Sequence, residues 1–102
     1  MDISVEDVPD EERFEARTVD GVLAGFAAYQ LASNLIVMTH TEVDPAFEGQ
    51  GVATALIRGA LDDIRERRIP MLPLCPFVVA FLQRHPDYRD LVYTAPQPPV
   101  ND

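Results

Sequence analysis

Two titratable side chains in an apolar and β-branched run could carry proton-transfer chemistry. His40 and Glu42 stand two positions apart among β-branched residues, so a strand would direct both from one face, roughly 7 Å apart. Imidazole gains and loses a proton near neutral pH, which makes His40 the first candidate for a base or proton relay. Glu42 could be a base, directly or through water, or could attract a cationic amine. Each could equally be an ordinary strand residue.

The single cysteine is the third candidate for chemistry. Cys75 ends an apolar segment and directly precedes Pro76, which predicts a helix N-terminus at this point. Such a position favours a thiolate and predicts an exposed, reactive thiol, although free cysteines are more often buried and inert. A single cysteine excludes an internal disulfide and fits a reducing compartment.

A glycine-containing turn follows the His40 strand. Residues 48–53 read Glu-Gly-Gln-Gly-Val-Ala. The first amides of a helix lack partners within it and, with the helix dipole, favour an anion such as phosphate. Gly49 and Gly51 can adopt positive φ and leave no Cβ in front of a ligand, or they could serve only as a tight turn. The segment has neither the lysine of a P-loop nor the third glycine of a dinucleotide fold.

Apolar periodicity predicts the elements around these residues. Residues 35–43 predict a central strand, and residues 53–64 predict an amphipathic helix because apolar side chains recur every three or four positions. Upstream, residues 13–18 and 22–31 predict two strands joined at Asp20-Gly21, a strong hairpin signal. Three antiparallel strands are therefore expected before the helix.

Prolines punctuate the second half of the chain. Residues 69–75 predict a strand that Pro73 prevents from pairing normally, or else an edge strand, because proline cannot donate to a sheet ladder. A second helix is expected from Pro76 to just before Pro86. Its predicted apolar face consists of Phe77, Val78, Phe81 and Leu82. Near its end, Arg84 could reach a phosphate or cap the helix, and His85 and Tyr88 are predicted to be structural.

Length and charge bound the class of protein. The 102 residues suit a single domain, residues 1–102, with an acidic segment at 1–11, a loop over 7–12, a last short strand at 90–94 and a loose tail at 95–102. The net charge of −9 argues against nucleic acid; it would attract cationic amines or serve solubility alone. No apolar run could cross a bilayer, so we expect no membrane partner and a cytoplasmic location. We also expect a monomer or weak dimer.

Residues 43–56 resemble the acetyl-CoA-binding segment of the GNAT superfamily of N-acetyltransferases. Its pattern is Gln or Arg, two residues, Gly, one residue, then Gly or Ala. Gly51 and Ala53 match the last two positions, whereas Glu48 stands where Gln or Arg is usual. The resemblance extends over residues 13–93 to a short single-domain branch of that superfamily. Its marks are similar to His40-Thr41-Glu42-Val43, Pro73-Leu74-Cys75-Pro76 and Arg84-His85-Pro86.

The resemblance implies an α+β fold with a twisted, mostly antiparallel sheet, one long helix after the central strand and a second helix after a splayed strand. It implies that acetyl-CoA binds in the gap beside that strand. The residues expected to hold it are Val43, Glu48, Gly49, Gln50, Gly51, Val52, Ala53, Thr54 and Arg84.

The implied reaction is acetyl transfer to a primary amine by direct attack in a ternary complex, with His40, Glu42 and Cys75 as the catalytic candidates. The acceptor side should be open, which suits a protein lysine, an N-terminus or a flexible polyamine. Two alternatives stay open. Cys75 could carry the acetyl group in a two-step route, or the chain could be a coenzyme A-binding or protein-interaction module with little or no turnover.

Overall fold

The computed structural model describes residues 2–95, which form a five-stranded sheet and two α-helices. The strands are β1 (Ile3–Val8), β2 (Arg13–Thr18), β3 (Leu23–Ala32), β4 (Leu35–Val43) and β5 (Met71–Pro73). The helices are α1 (Val52–Arg67) and α2 (Pro76–Arg84), and short 3-10 turns cover Pro9–Glu11, Pro45–Phe47 and Pro86–Leu91. The strands lie in the order β1-β2-β3-β4-β5, and only β5 runs parallel to its neighbour.

The predicted fold class is confirmed: a mostly antiparallel sheet carries a long helix after β4 and a second helix after β5. Both helices pack on one face of the sheet and share a single apolar core with it. No α-helix precedes β4 within residues 2–95, so the other face of the sheet is open there. None of the helices in these residues is long and apolar enough to span a bilayer.

The expected loop over residues 7–12 is wrong, because Asp7 belongs to β1 and four antiparallel strands precede α1. The Asp7 carboxylate accepts a 2.5 Å hydrogen bond from the Tyr29 hydroxyl and pairs at 2.8 Å with Arg67 of α1, which also pairs with Asp63. Burial and this hydrogen bond raise the pKa of Tyr29. An acidic stretch is thus held in the sheet by partners distant in sequence.

The lengths of two further strands were overestimated from the sequence. The strand expected over residues 69–75 is limited to Met71–Pro73, and the one expected over 90–94 is a 3-10 turn followed by a single bridge from Val92 to Met71. The segment leaves the sheet after Pro73 because proline has no N–H to continue the ladder. Of the predicted tail, residues 96–102 lie outside the described residues.

Gly59 allows α1 to approach β1 closely. A Cβ built on Gly59 would lie 2.7 Å from the Cβ of Val5 and 2.9 Å from its Cγ2, whereas carbon atoms in contact prefer roughly 3.5–4.0 Å. The absence of a side chain at this position therefore sets the distance between helix and strand.

We expect Gly59→Ala to destabilise the protein by about 1–2 kcal/mol, although the same change in an open helix position would stabilise it by about 1 kcal/mol. Urea denaturation gives the free energy of unfolding. Adding Val5→Ala, which removes both Cγ atoms that the new methyl group meets, should recover part of that loss beyond simple additivity. A gain in stability from Gly59→Ala alone would contradict the close approach.

Candidate active site

The strands β4 and β5 pair briefly and then separate. Their last paired residues are Met38 and Pro73, and the Met38 carbonyl accepts the N–H groups of both Leu74 (2.9 Å) and Cys75 (3.0 Å). Beyond this point β4 continues to Val43 with its β5-facing backbone edge unpaired among the described residues. The sheet therefore contains the splayed strand that the sequence led us to expect, with a gap beside the second half of β4.

A β-bulge in β4 decides which face its side chains take. Thr39 is an extra residue in the pairing with β3. Before it, Met38 points to the helices and is fully buried, and an unbroken alternation would send His40 and Glu42 to the same side. The extra residue reverses the alternation, so that Thr41 points toward α2 and the two candidate residues lie on the open face.

His40 and Glu42 share that open face, as predicted. Their nearest charged atoms, Nε2 and Oε2, are 3.9 Å apart, and each side chain is 61% exposed. The distance is too long for a hydrogen bond, so neither group is locked to the other. The imidazole meets the edge of the Phe26 ring, with 6.2 Å between centroids. Both groups are available to a molecule that approaches the open face.

Beside them the open face carries a buried carboxylate. Glu15, only 4% exposed, is clamped by Arg13 and Arg17, each at 2.8 Å. Burial alone would raise the pKa of Glu15, but the hydrogen bonds and charges of the two arginines outweigh it and hold the pKa below its usual value. The Arg13 guanidinium also lies over the Phe26 ring, 4.7 Å from its centroid. Glu15 and its two arginines thus form an ordered part of the same sheet face that carries His40.

Cys75 occupies the predicted place, directly before α2, and its side chain is buried. It is the N-cap residue of α2 and is 3% exposed, so of the two environments considered for this cysteine the structure has the buried one. Its Sγ lies 3.2 Å from the hydroxyl of Thr41, on the helix side of β4. Since neighbouring strand residues point to opposite faces, His40 and Cys75 are directed to opposite sides of the sheet.

The glycine turn has the conformation that the sequence suggested. Gly49 and Gly51 have φ of +76° and +79°, and a Cβ on either would meet open space. Gly51 is the N-cap of α1, and no side chain caps the helix in the described structure. The first turn of α1 contains no acidic residue. The amides of Val52, Ala53 and Thr54 are therefore free to meet an anion.

A pocket of about 290 Å³ lies against this turn. It gathers most of the predicted coenzyme-binding residues and two aromatic ones. The lining consists of Val43, Phe47, Glu48, Gly49, Gly51, Val52, Ala53, Thr54 and Phe77. The Gln50 side chain instead donates to the Ala46 carbonyl at 3.4 Å. Arg84 stands seven residues after Phe77, two turns along the same side of α2 and roughly 10 Å from it along the axis.

Phe77 and Phe47 were not identified as site residues from the sequence. Phe77 was assigned to the buried face of α2, but it is 37% exposed and borders the pocket, while Val78 supplies the buried face. Its place in the first turn after Cys75 was the available signal. The predicted structural roles of His85 and Tyr88 fit the contacts: His85 stacks on Phe81 at 4.2 Å between centroids, and the Tyr88 hydroxyl donates to Asp62 at 2.6 Å.

A larger cavity, of about 580 Å³, adjoins the first and shares Val43 and Glu48 with it. It lies where β3 begins and β4 ends. Phe26 lines it together with three carboxylates, those of Glu42, Asp44 and Glu48. The two cavities thus meet at the end of β4, one beside free helix amides and the other beside acidic side chains.

A mixed sheet whose last strand splays from β4, with a glycine turn leading into α1, is the architecture of an acetyltransferase fold. Residues 13–91 match the family model described as GCN5-related N-acetyl-transferase. The chain therefore belongs to the GCN5-related N-acetyltransferase family, whose members use acetyl-CoA as co-substrate.

Solved structures agree on the fold. A protein from Staphylococcus aureus assigned as GCN5-like is 21% identical, with a TM-score of 0.66 over 91% of this chain and 90% of that one. The ribosomal-protein-alanine N-acetyltransferase of Brucella melitensis biovar Abortus 2308 is 25% identical, with a TM-score of 0.52 over 88% of this chain and 68% of that one. No curated protein matches the sequence at a significant level.

The Glu15 clamp predicts a specific pH dependence. Since the folded-state pKa of Glu15 is lowered, its contribution to stability is complete above the unfolded pKa of roughly 4.3 and is lost as pH falls through the folded value. We expect Glu15→Gln to reduce the free energy of unfolding by about 1 kcal/mol at pH 7, because each arginine can still hydrate. The difference from wild type should shrink below pH ~4.

Glu6→Gln is the matched control, because Glu6 faces Glu15 across β1 and β2 and is exposed. Urea denaturation of both variants at pH 7 and pH 3.5 separates the cases. The control should change stability by less than roughly 0.5 kcal/mol at either pH. A Glu15→Gln effect of equal size at both pH values would contradict the electrostatic account.

Proposed function

We propose that this chain transfers the acetyl group of acetyl-CoA to a primary amine by direct attack in a ternary complex. The observation that carries the proposal is the continuity of two features, the gap beside β4 and the uncapped N-terminus of α1 at Gly51. An extended pantetheine arm fits an unpaired strand edge, and a pyrophosphate fits free helix amides. Val43 lies where the two features meet.

The residues of the glycine turn fit an anionic group except at one position. The amides of 52–54 and the open space at Gly49 and Gly51 favour phosphate. Glu48 borders the same pocket, and a carboxylate close to a pyrophosphate repels it by about 1 kcal/mol. Coenzyme affinity then rests on backbone amides and pantetheine contacts, with Arg84 as a candidate partner for a phosphate further along α2.

The acceptor, in this proposal, approaches from the open face. Its amine must lose a proton before or during attack, and His40 is the proposed base because its imidazole is exposed on that face. Glu42 is the proposed attractor of the cationic amine, since it lines the larger acidic cavity. In the transfer, the bond between the amine nitrogen and the acetyl carbon forms, the C–S bond of the thioester breaks, and the departing sulfur takes a proton.

The opposite orientations of His40 and Cys75 favour direct transfer over the two-step route. The two-step route needs a base to activate the Cys75 thiol, whereas the hydrogen-bond partner of that thiol is the neutral hydroxyl of Thr41. His40 leaves β4 on the other side. The amine acceptor of the Brucella protein is a ribosomal-protein alanine by its name, and a protein N-terminus is accordingly one acceptor to test here, beside lysine and polyamines.

Coenzyme binding is the first test, and Glu48 makes it specific. Titration with acetyl-CoA should shift the amide resonances of Gly49, Gly51 and Cys75 to saturation. In Glu48→Arg the dissociation constant for acetyl-CoA, measured by calorimetry, should fall about tenfold. The substitution replaces a repulsion of about 1 kcal/mol by an attraction of about 1 kcal/mol, and salt partly screens both. Glu66→Arg, the same charge change in the last turn of α1, is the matched control.

An unchanged dissociation constant in Glu48→Arg would show that the Glu48 side chain points away from the coenzyme. Equal tightening in Glu66→Arg would assign the effect to net charge instead. No shifts at millimolar coenzyme would refute the enzyme proposal as a whole. Saturable binding without turnover on a broad panel of amines would favour the alternative of a coenzyme-binding module.

Acceptor choice tests the acidic cavity. A linear diamine and an amino alcohol of equal length present the same reacting amine, and only the diamine carries a second positive charge. We expect Glu42→Gln to reduce the preference for the diamine, as the ratio of the two kcat/KM values, by about fivefold, which corresponds to about 1 kcal/mol. Glu66→Gln should leave the ratio unchanged. Equal losses for both acceptors would instead make Glu42 a base or a structural residue.

A further inference from the structure

The Thr41–Cys75 hydrogen bond crosses the gap between the splayed strands. Backbone pairing of β4 with β5 ends at Met38, and three residues further along β4 the Thr41 hydroxyl meets the Cys75 thiol at 3.2 Å. Cys75 belongs to the segment that leaves the sheet and caps α2. The contact thus joins the free part of β4 to the start of α2, at the closed end of the gap.

Thr41 owes this position to the bulge at Thr39. Without the extra residue, the side chain at position 41 would point to the open face, and position 40 or 42 would face Cys75. The resulting partner of the thiol is a neutral hydroxyl, and Cys75 is buried. A thiol in this setting is held in one orientation and kept away from solvent, without a base to make it a nucleophile.

We propose that Thr41 is a positioning residue that holds the Cys75 thiol, in its neutral form, as the hydrogen-bond donor beside the sulfur of the coenzyme. The proposal rests on the proposed function. In the reaction, the amine nitrogen bonds to the carbonyl carbon and the electron pair of the breaking C–S bond moves to sulfur, which takes the proton of Cys75. The amine proton passes to His40 and from there to solvent, and Cys75 regains a proton from water that enters the gap when coenzyme A leaves. No acetyl group resides on the enzyme in this scheme.

Substitution of Thr41 separates positioning from binding. In Thr41→Val the hydroxyl is lost at nearly constant volume, so kcat should fall about tenfold to a hundredfold while the acetyl-CoA dissociation constant changes less than threefold. Thr41→Ser should restore most of kcat. Thr18→Val is the matched control, because the Thr18 hydroxyl accepts the N–H of Val22 at 3.1 Å in the hairpin between β2 and β3, away from the gap; it should leave both constants unchanged.

A double-mutant cycle tests whether Thr41 acts through Cys75. Cys75→Ala should reduce kcat about as much as Thr41→Val, and the double variant should lose little more, because both changes remove one unit. Additive losses, a change confined to KM, or failure of Thr41→Ser to restore kcat would overturn the proposal.

Two measurements need no turnover. The rate of Cys75 alkylation by iodoacetamide should rise in Thr41→Val and stay near the wild-type rate in Thr41→Ser; equal rates in all three proteins would overturn the proposal. Intact mass after incubation with acetyl-CoA alone should stay unchanged. The sequence contains eight arginines and no lysine, so the α-amino group is the remaining amine that could take an acetyl group, and the Cys75→Ala variant distinguishes it from the thiol. An added acetyl group that is lost in Cys75→Ala would assign Cys75 as acyl carrier instead.

These outcomes are distinct from failure of the proposed function. Absence of coenzyme binding by wild-type protein refutes the acetyltransferase proposal, and the alkylation rates still decide whether Thr41 holds the thiol. Normal binding and turnover in Thr41→Val refute the role of Thr41 alone.

Discussion

The carbonyl oxygen of Met38 is the point on which the rest of the site depends. It accepts the N–H groups of Leu74 and Cys75, and these are the last backbone bonds between β4 and the segment after β5. Pro73 has no N–H to offer, so the chain turns away there and begins α2 at Pro76. Had the pairing continued to Val43, no gap would exist and the second half of β4 would be an ordinary interior strand.

At the same level of the sheet, the bulge at Thr39 supplies the second constraint. One extra residue assigns His40 and Glu42 to the open face and Thr41 to the helix side. In the proposed reaction, the groups that meet the incoming amine lie on one side of β4 and the contact for the departing sulfur lies on the other. A regular strand would also separate the two sets, but with His40 and Glu42 on the helix side and Thr41 on the open face.

The sequence predicted the elements with strong local signals and missed those that depend on distant partners. Residues 35–43 and the helix from Pro76 were predicted correctly because β-branched runs and prolines act locally. The place of Asp7 in β1 could not be predicted, since its partners Tyr29 and Arg67 are distant in the chain. A bulge has no recognisable pattern in a β-branched sequence, so the contact between Thr41 and Cys75 could not be predicted either. The shared face of His40 and Glu42 followed from their spacing alone.

Charge completes the division between the two sides of the site. The chain carries a net charge of −9, and four of its eight arginines, Arg13, Arg17, Arg65 and Arg67, are already in ion pairs. The long-range field therefore attracts amines and repels a coenzyme that carries several phosphates. In the proposed binding mode, the short-range dipoles at the start of α1, effective within the first turn, and the charge of Arg84 oppose that repulsion. In that mode, binding of the anion depends on contact with the backbone at Gly51, whereas the long-range field already favours the cation before contact. Salt screens the long-range field over roughly 8 Å at physiological ionic strength and leaves the amide contacts largely intact, so rising salt should favour the coenzyme relative to the amine.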